Sequence, residues 1–100
     1  MAHTIALVPN ERRAALDEIL RDDRIARQSL KVRDAASLGG PAGATYVQVE
    51  GAADVVQQAA SRLATIGTVL PEADRERVHA QFVAEDEAAS AGMGLFFTEG

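Results

Sequence analysis

Between Ala44 and Gly67 the apolar positions recur first by twos and then by threes and fours. Along Thr45-Tyr46-Val47-Gln48-Val49-Glu50, the residues Thr45, Val47 and Val49 fall on one face and Tyr46, Gln48 and Glu50 on the other, the period of a half-buried strand. One face is therefore core. After Gly51 the spacing changes: Val56, Ala59, Ala60, Leu63 and Ile66 make a helical stripe able to cover the strand's apolar side. Strand and helix read as one unit.

Upstream, His3 to Val8 is a short apolar run closed by Pro9, and Ile5, Leu7 and Val8 suit an inner strand. Asn10 stands where a helix N-cap belongs, Glu11 suits the positive end of the helix dipole, and Leu16, Ile19 and Leu20 supply a buried stripe. Asp22-Asp23 either closes this helix or caps a further turn through Ile25 and Ala26. Ser29 to Asp34 then alternates Leu30, Val32 and Asp34 with Lys31 and Arg33, a strand polar on one side. The connection from Ala35 to Gly43 is longer than a hairpin needs, and Asp34 to Leu38 can alternatively form one helical turn that spaces the strands.

Downstream, Gly67 fits the left-handed position that ends many helices, and Thr68-Val69-Leu70 fits a short edge strand. Pro71, with Glu72 and Asp74 behind it, opens another helix, whose thin apolar stripe is Val78 and Phe82. That helix is expected to run through Ala89 and to break at Gly92 and Gly94.

The order that results is α+β: a ferredoxin-like βαββα(β) antiparallel sheet with an extra C-terminal helix, one domain over residues 1–100, with residues 92–100 as a docking tail. Helices on one face leave the other face to be covered. That face meets water, the chain's own last helix or a second subunit; a second subunit is the favoured cover, with Tyr46, Phe82, Leu95, Phe96 and Phe97 at the interface, because two of only four aromatics sit in the last five residues, and packing of this tail on the chain's own sheet is the alternative.

Charge sharpens this expectation. The net charge of −5 is unevenly placed: Glu11 to Asp34 holds seven basic and six acidic residues, whereas Pro71 to Gly100 holds two basic and seven acidic ones. Glu85-Asp86-Glu87 oppose the dipole at the C-terminal end of their helix, and no Lys or Arg follows Val78, so cations from elsewhere must offset them. The upstream arginines Arg12, Arg13, Arg21, Arg24, Arg27 and Arg33 are the available donors, and a neighbouring copy is the expected source. An acidic chain also argues against nucleic acid and membrane surfaces as partners. A nucleic-acid or ribonucleoprotein accessory role, with Arg24, Arg27, Lys31 and Arg33 on phosphates, is the alternative reading.

The candidate chemistry is sparse. Gly39, Gly40 and Gly43 with the Ser37 hydroxyl could cradle a small anion, although neither phosphate-binding fingerprint is present. Glu76 and His79 have the Glu-x-x-His spacing by which helical bundles hold paired metals, yet further inward ligands are needed and His3 stands at the opposite end of the chain. There is no cysteine, which excludes thiol chemistry, and no G-x-S-x-G elbow, so a serine triad is not expected. No cofactor is implied. Nothing at the N-terminus reads as a signal peptide and no run of about 18 apolar residues occurs, so a cytoplasmic setting is expected.

The segment Arg33 to Gly51 (RDAASLGGPAGATYVQVEG) resembles small uncharacterised archaeal proteins that carry an Asp-Ala-Ser-Ser-Leu-Gly-like loop before an aromatic-apolar strand. The resemblance covers about a fifth of the chain, and Ala36 departs from the pattern. It implies an archaeal source, which the acidic, lysine-poor surface would place among haloarchaea, and no activity. Together these observations point to a homo-oligomeric binding or regulatory module rather than an enzyme, with the 35–43 loop as its ligand contact.

Overall fold

The computed structural model describes the backbone of residues 2–99 and the side chains of residues 2–88. In it the chain forms strands β1 (Ala2–Pro9), β2 (Ser29–Asp34), β3 (Ala44–Gly51) and β4 (Thr68–Val69), and helices α1 (Arg13–Leu20), α2 (Asp23–Ala26), α3 (Ala53–Leu63) and α4 (Glu72–Glu99). All strand pairs are antiparallel, in the order β2-β3-β1-β4. β1 is an inner strand, paired along its whole length with β3, from Ala2 opposite Gly51 to Pro9 opposite Ala44.

The two faces of the sheet are built differently. On the first, Ala6, Val8, Val47 and Val49 meet Leu16, Ile19, Ile25, Val55, Val56, Ala59 and Leu63 from α1, α2 and α3 in one continuous apolar core. Here strand and helix periodicities agree, and the alternation along β3 places its apolar set as expected. On the second face, Ile5, Tyr46, Ala44, Ala35 and Leu38 pack with Val78 and Phe82 of α4. The face expected to await a second subunit is thus covered by the chain's own last helix.

Three local expectations are revised. Asn10 does not cap a helix: its side-chain oxygen accepts from the Thr45 hydroxyl (2.9 Å) and its backbone N–H donates to Gly43 O (3.0 Å), so a 3₁₀ turn over Asn10–Arg12 precedes α1. Gly67 is absent from the glycines with positive φ, which are Gly39, Gly43 and Gly51. The backbone of α4 continues through Gly92 and Gly94 to Glu99.

Asp22 takes the second of its two expected roles. Its Oδ1 accepts from the backbone N–H groups of Arg24 (3.0 Å) and Ile25 (3.3 Å) at the start of α2, and Oδ2 accepts from Arg62 on α3 (3.0 Å). A one-turn helix cannot stand by propensity alone, so cap and cross-tie hold Ile25 in the core. Asp22→Ala is expected to lower the unfolding free energy by about 1–2 kcal/mol in urea titrations, and Asp22→Asn by roughly half as much, because the amide oxygen still caps. Equal losses for both would place the stabilisation in the Arg62 pair alone.

Among the described residues no helix is long and apolar enough to cross a membrane.

Candidate functional site

Where α4 crosses the second face, the contact changes character along its length. Val78 and Phe82 supply the buried apolar part, 3% and 1% exposed. The rest is polar. His79 Nδ1–H donates to Gln48 Oε1 across 2.8 Å, and Gln48, at the centre of β3, is 1% exposed. That bond matters because a buried amide left without a partner carries its whole desolvation penalty.

β1 and α4 bring His3 and His79 together, although 75 residues separate them in the chain. Their rings stack with centroids 4.6 Å apart and planes inclined by 27°. His3 Nε2 stands 3.7 Å from Glu76 Oε1, and Glu76 Oε1 lies 3.5 Å from the Arg75 guanidinium. Nε2 of His3 and Nε of Arg75 are shielded from solvent without a hydrogen-bond partner among the described residues. Burial first, then the neighbouring His79 and Arg75, push the His3 pKa below its ordinary 6.5, against the opposing pull of Glu76 and Glu50. His3, remote from His79 along the chain, is brought into the same cluster by the strand order.

The cluster is poorly shaped for a metal ion. Imidazole lone pairs lie in the ring plane, so stacked rings aim them along nearly parallel planes rather than at one point, and His79 Nδ1 is engaged by Gln48. No group of three or more His, Cys, Asp or Glu side chains among the described residues is arranged to hold one.

Beyond Phe82 the helix is held by charge. Arg33 Nε donates to Glu85 Oε1 (2.7 Å), and Lys31 Nζ bonds Asp86, with Arg33 3.8 Å from the same carboxylate. The hydrogen bond from Lys31 holds the Asp86 carboxyl below the usual carboxylate range. Cations expected from a neighbouring copy therefore come from β2 of the same chain. All these side chains are 29–43% exposed, which makes the clasp a surface network and sensitive to salt.

The other sequence candidates fall elsewhere. In the 35–43 segment, residues Ala35–Leu38 form a 3₁₀ turn, the Ser37 hydroxyl donates to Asp34 O (2.7 Å), and the N–H groups of Gly39 and Gly40 donate to Ala36 O (3.3 Å) and Ala35 O (2.8 Å). These donors turn inward. Gly39 and Gly43 take the left-handed conformation, and Gly40 lies against the Tyr46 side chain, where a Cβ would come within 2.7 Å. Tyr46 and Phe82 are both buried in the intramolecular cluster. The side chains of Leu95, Phe96 and Phe97 lie outside the described residues.

The four cations of the alternative nucleic-acid reading do not form one patch. Arg24 binds Asp54 (3.1 Å) and Gln58 (3.3 Å), and Arg27 binds Asp23 (3.0 Å), on the helical side; Lys31 and Arg33 lie on the opposite face under α4. A cleft of about 340 Å³ on the helical side is lined by Ala15, Glu18, Ile19, Arg62, Thr65 and Ile66, and its arginine is already bound to Asp22.

Searches with family models, curated protein sequences and solved structures return no match to this chain.

Proposed function

We propose that the protein is a non-catalytic binding module of ferredoxin-like arrangement, whose second sheet face is its binding surface and whose α4 is a detachable cover for that surface. The strand order β2-β3-β1-β4 with α1 and α3 on one face supports the ferredoxin-like assignment. The observation that carries the functional reading is the asymmetry of the two faces. The first is sealed by a continuous apolar core, as a permanent interior should be. The second is closed, among the described residues of α4, by two buried apolar side chains, a Gln48–His79 bond and an exposed ionic clasp.

A cover of that kind can be exchanged. The occupant we assign is α4 of a second copy, because the contacts that seat the helix on its own sheet are reproduced when it seats on another's. Only Leu70 and Pro71 separate β4 from α4, and short connections favour such swapping. A homo-oligomer then forms without any new interface chemistry, and the module's readout is the state of its sheet face.

The test is mass in solution by light scattering, with amide exchange along α4, at about 0.05 M and about 1 M salt. High salt is expected to speed exchange in α4 several-fold while β1 and β3 stay protected, and incubation at high concentration is expected to yield dimer that traps mixed labelled chains. A strict monomer whose α4 amides exchange as slowly as those of β3 in both salts would overturn the reading.

A further inference from the structure

We propose that the stacked His3–His79 pair is a proton-operated latch on α4: in mildly acidic solution, protonation of His3, against the His79 ring and beside the Arg75 guanidinium, lifts the helix from the second face of the sheet. This rests on the reading of α4 as a detachable cover and names what regulates it.

The geometry provides the device. His3 belongs to β1 and His79 to α4, so the 4.6 Å stack is a contact between the sheet and its cover, and charge placed on it acts on that junction alone. The groups facing His3 are Glu50, its register partner on β3, and Arg75, Glu76 and His79 on α4. Two carboxylates favour a protonated His3, and two basic groups and burial oppose it. The opposition wins, because Glu76 stands 3.7 Å away with 55% of its side chain exposed and is shared with Arg75. Nε2 of His3, shielded from solvent, has among the described residues no acceptor at hydrogen-bond distance to receive a new proton's charge.

The sign follows from linkage. With the native pKa of His3 below 6.5, the closed form binds fewer protons than the open one as pH falls from 6.5 toward that lower value. Closure is therefore complete above 6.5 and weakens through that interval. Asp86 of the ionic clasp, held below the ordinary carboxylate range by its hydrogen bond from Lys31, stays charged there. Acid thus acts at one end of the helix while the other end remains tied, which makes the response separate from that of salt.

The experiment is amide exchange of the full chain at about pH 7.5 and about pH 5.5, corrected for intrinsic exchange and referenced to β1 and β3. In the wild type, opening of α4 is expected to rise several-fold at the lower pH with the sheet unchanged. His3→Phe keeps a flat ring in the stack without a proton site and is expected to abolish most of that rise. Glu76→Gln, an exposed position that should not disturb folding, removes a carboxylate favouring the closed protonated form and is expected to enlarge it. Salt-induced opening with no response to pH, or an unaltered response in both variants, overturns the latch and leaves the cover standing. An α4 that opens under neither condition overturns both.

Discussion

Replacing Phe82 by alanine is expected to remove about 3–5 kcal/mol from the docking of α4, the usual cost of deleting a buried phenylalanine. Among the described residues Phe82 is the largest fully buried side chain, and Val78 is the only other buried apolar residue that α4 contributes. Against a total stability on the order of 5–15 kcal/mol for a domain, a loss of this size decides whether the helix stays down. Because the first-face core does not involve Phe82, the expected outcome is local: α4 amides lose protection while β1 and β3 keep theirs. The chain has one tyrosine and no tryptophan, so Tyr46, in the same cluster, reports the event by its own fluorescence. Val83→Ala, at an exposed position on the same helix, should stay within about 0.5 kcal/mol of wild type. Simultaneous loss of sheet and helix protection in Phe82→Ala would mean that α4 is one cooperative unit with the rest, and the cover reading would fall.

The first face was legible in the sequence because two independent periods specify it. Thr45, Val47 and Val49 alternate by twos, Val56, Ala59 and Leu63 recur by threes and fours, and the two apolar stripes fit each other, although β3, expected to be half-buried, is buried on both faces from Ala44 to Val49. The second face was less so: the chain's own last helix was one of three possible covers, but its polar partners lie too far apart to be matched by spacing, Arg33 and Glu85 being 52 residues apart and Lys31 and Asp86 55. The acidic run does meet cations, although it lies within α4 and not at its C-terminal end as expected, and Arg33 was among six candidates, but charge balance cannot say whether the donor sits in the same copy. His3 was dismissed on chain distance, which strand order overrides: β1 lies between β3 and β4, and α4 returns across it. At Asn10 a local rule lost to a tertiary one, since the oxygen suited to an N-cap was claimed by Thr45 from β3. In each case the missing information was which strand neighbours which, and no local spacing encodes that.

Gly67 extends the same point and gives the second large expected effect. Glycine serves either a left-handed backbone or a close approach, and the sequence alone offered the first. The fold uses the second: a Cβ at Gly67 would lie 2.3 Å from Leu7 O and 3.1 Å from Leu7 C and Val8 Cα. These are backbone atoms of β1, which is held on one side by eight register pairs with β3 and on the other by β4 at Ala6 and Leu7. β1 cannot yield, so the turn into β4 must. Retreat there breaks the Leu7–Thr68 pairing and strains the bond from Leu70 N to Ile5 O, now 2.9 Å, which anchors the origin of α4. Gly67→Ala is therefore expected to cost about 3 kcal/mol in urea titrations, at the upper end of overpacking penalties. Gly39→Ala, at φ 80° with open space around it, should cost only the roughly 1–2 kcal/mol of a left-handed alanine. Asparagine separates the two uses, because it tolerates the left-handed region but still carries a Cβ. Gly67→Asn is expected to be at least as damaging as Gly67→Ala, whereas partial rescue by asparagine would return Gly67 to the helix-terminating role and leave β4 without its contact against β1.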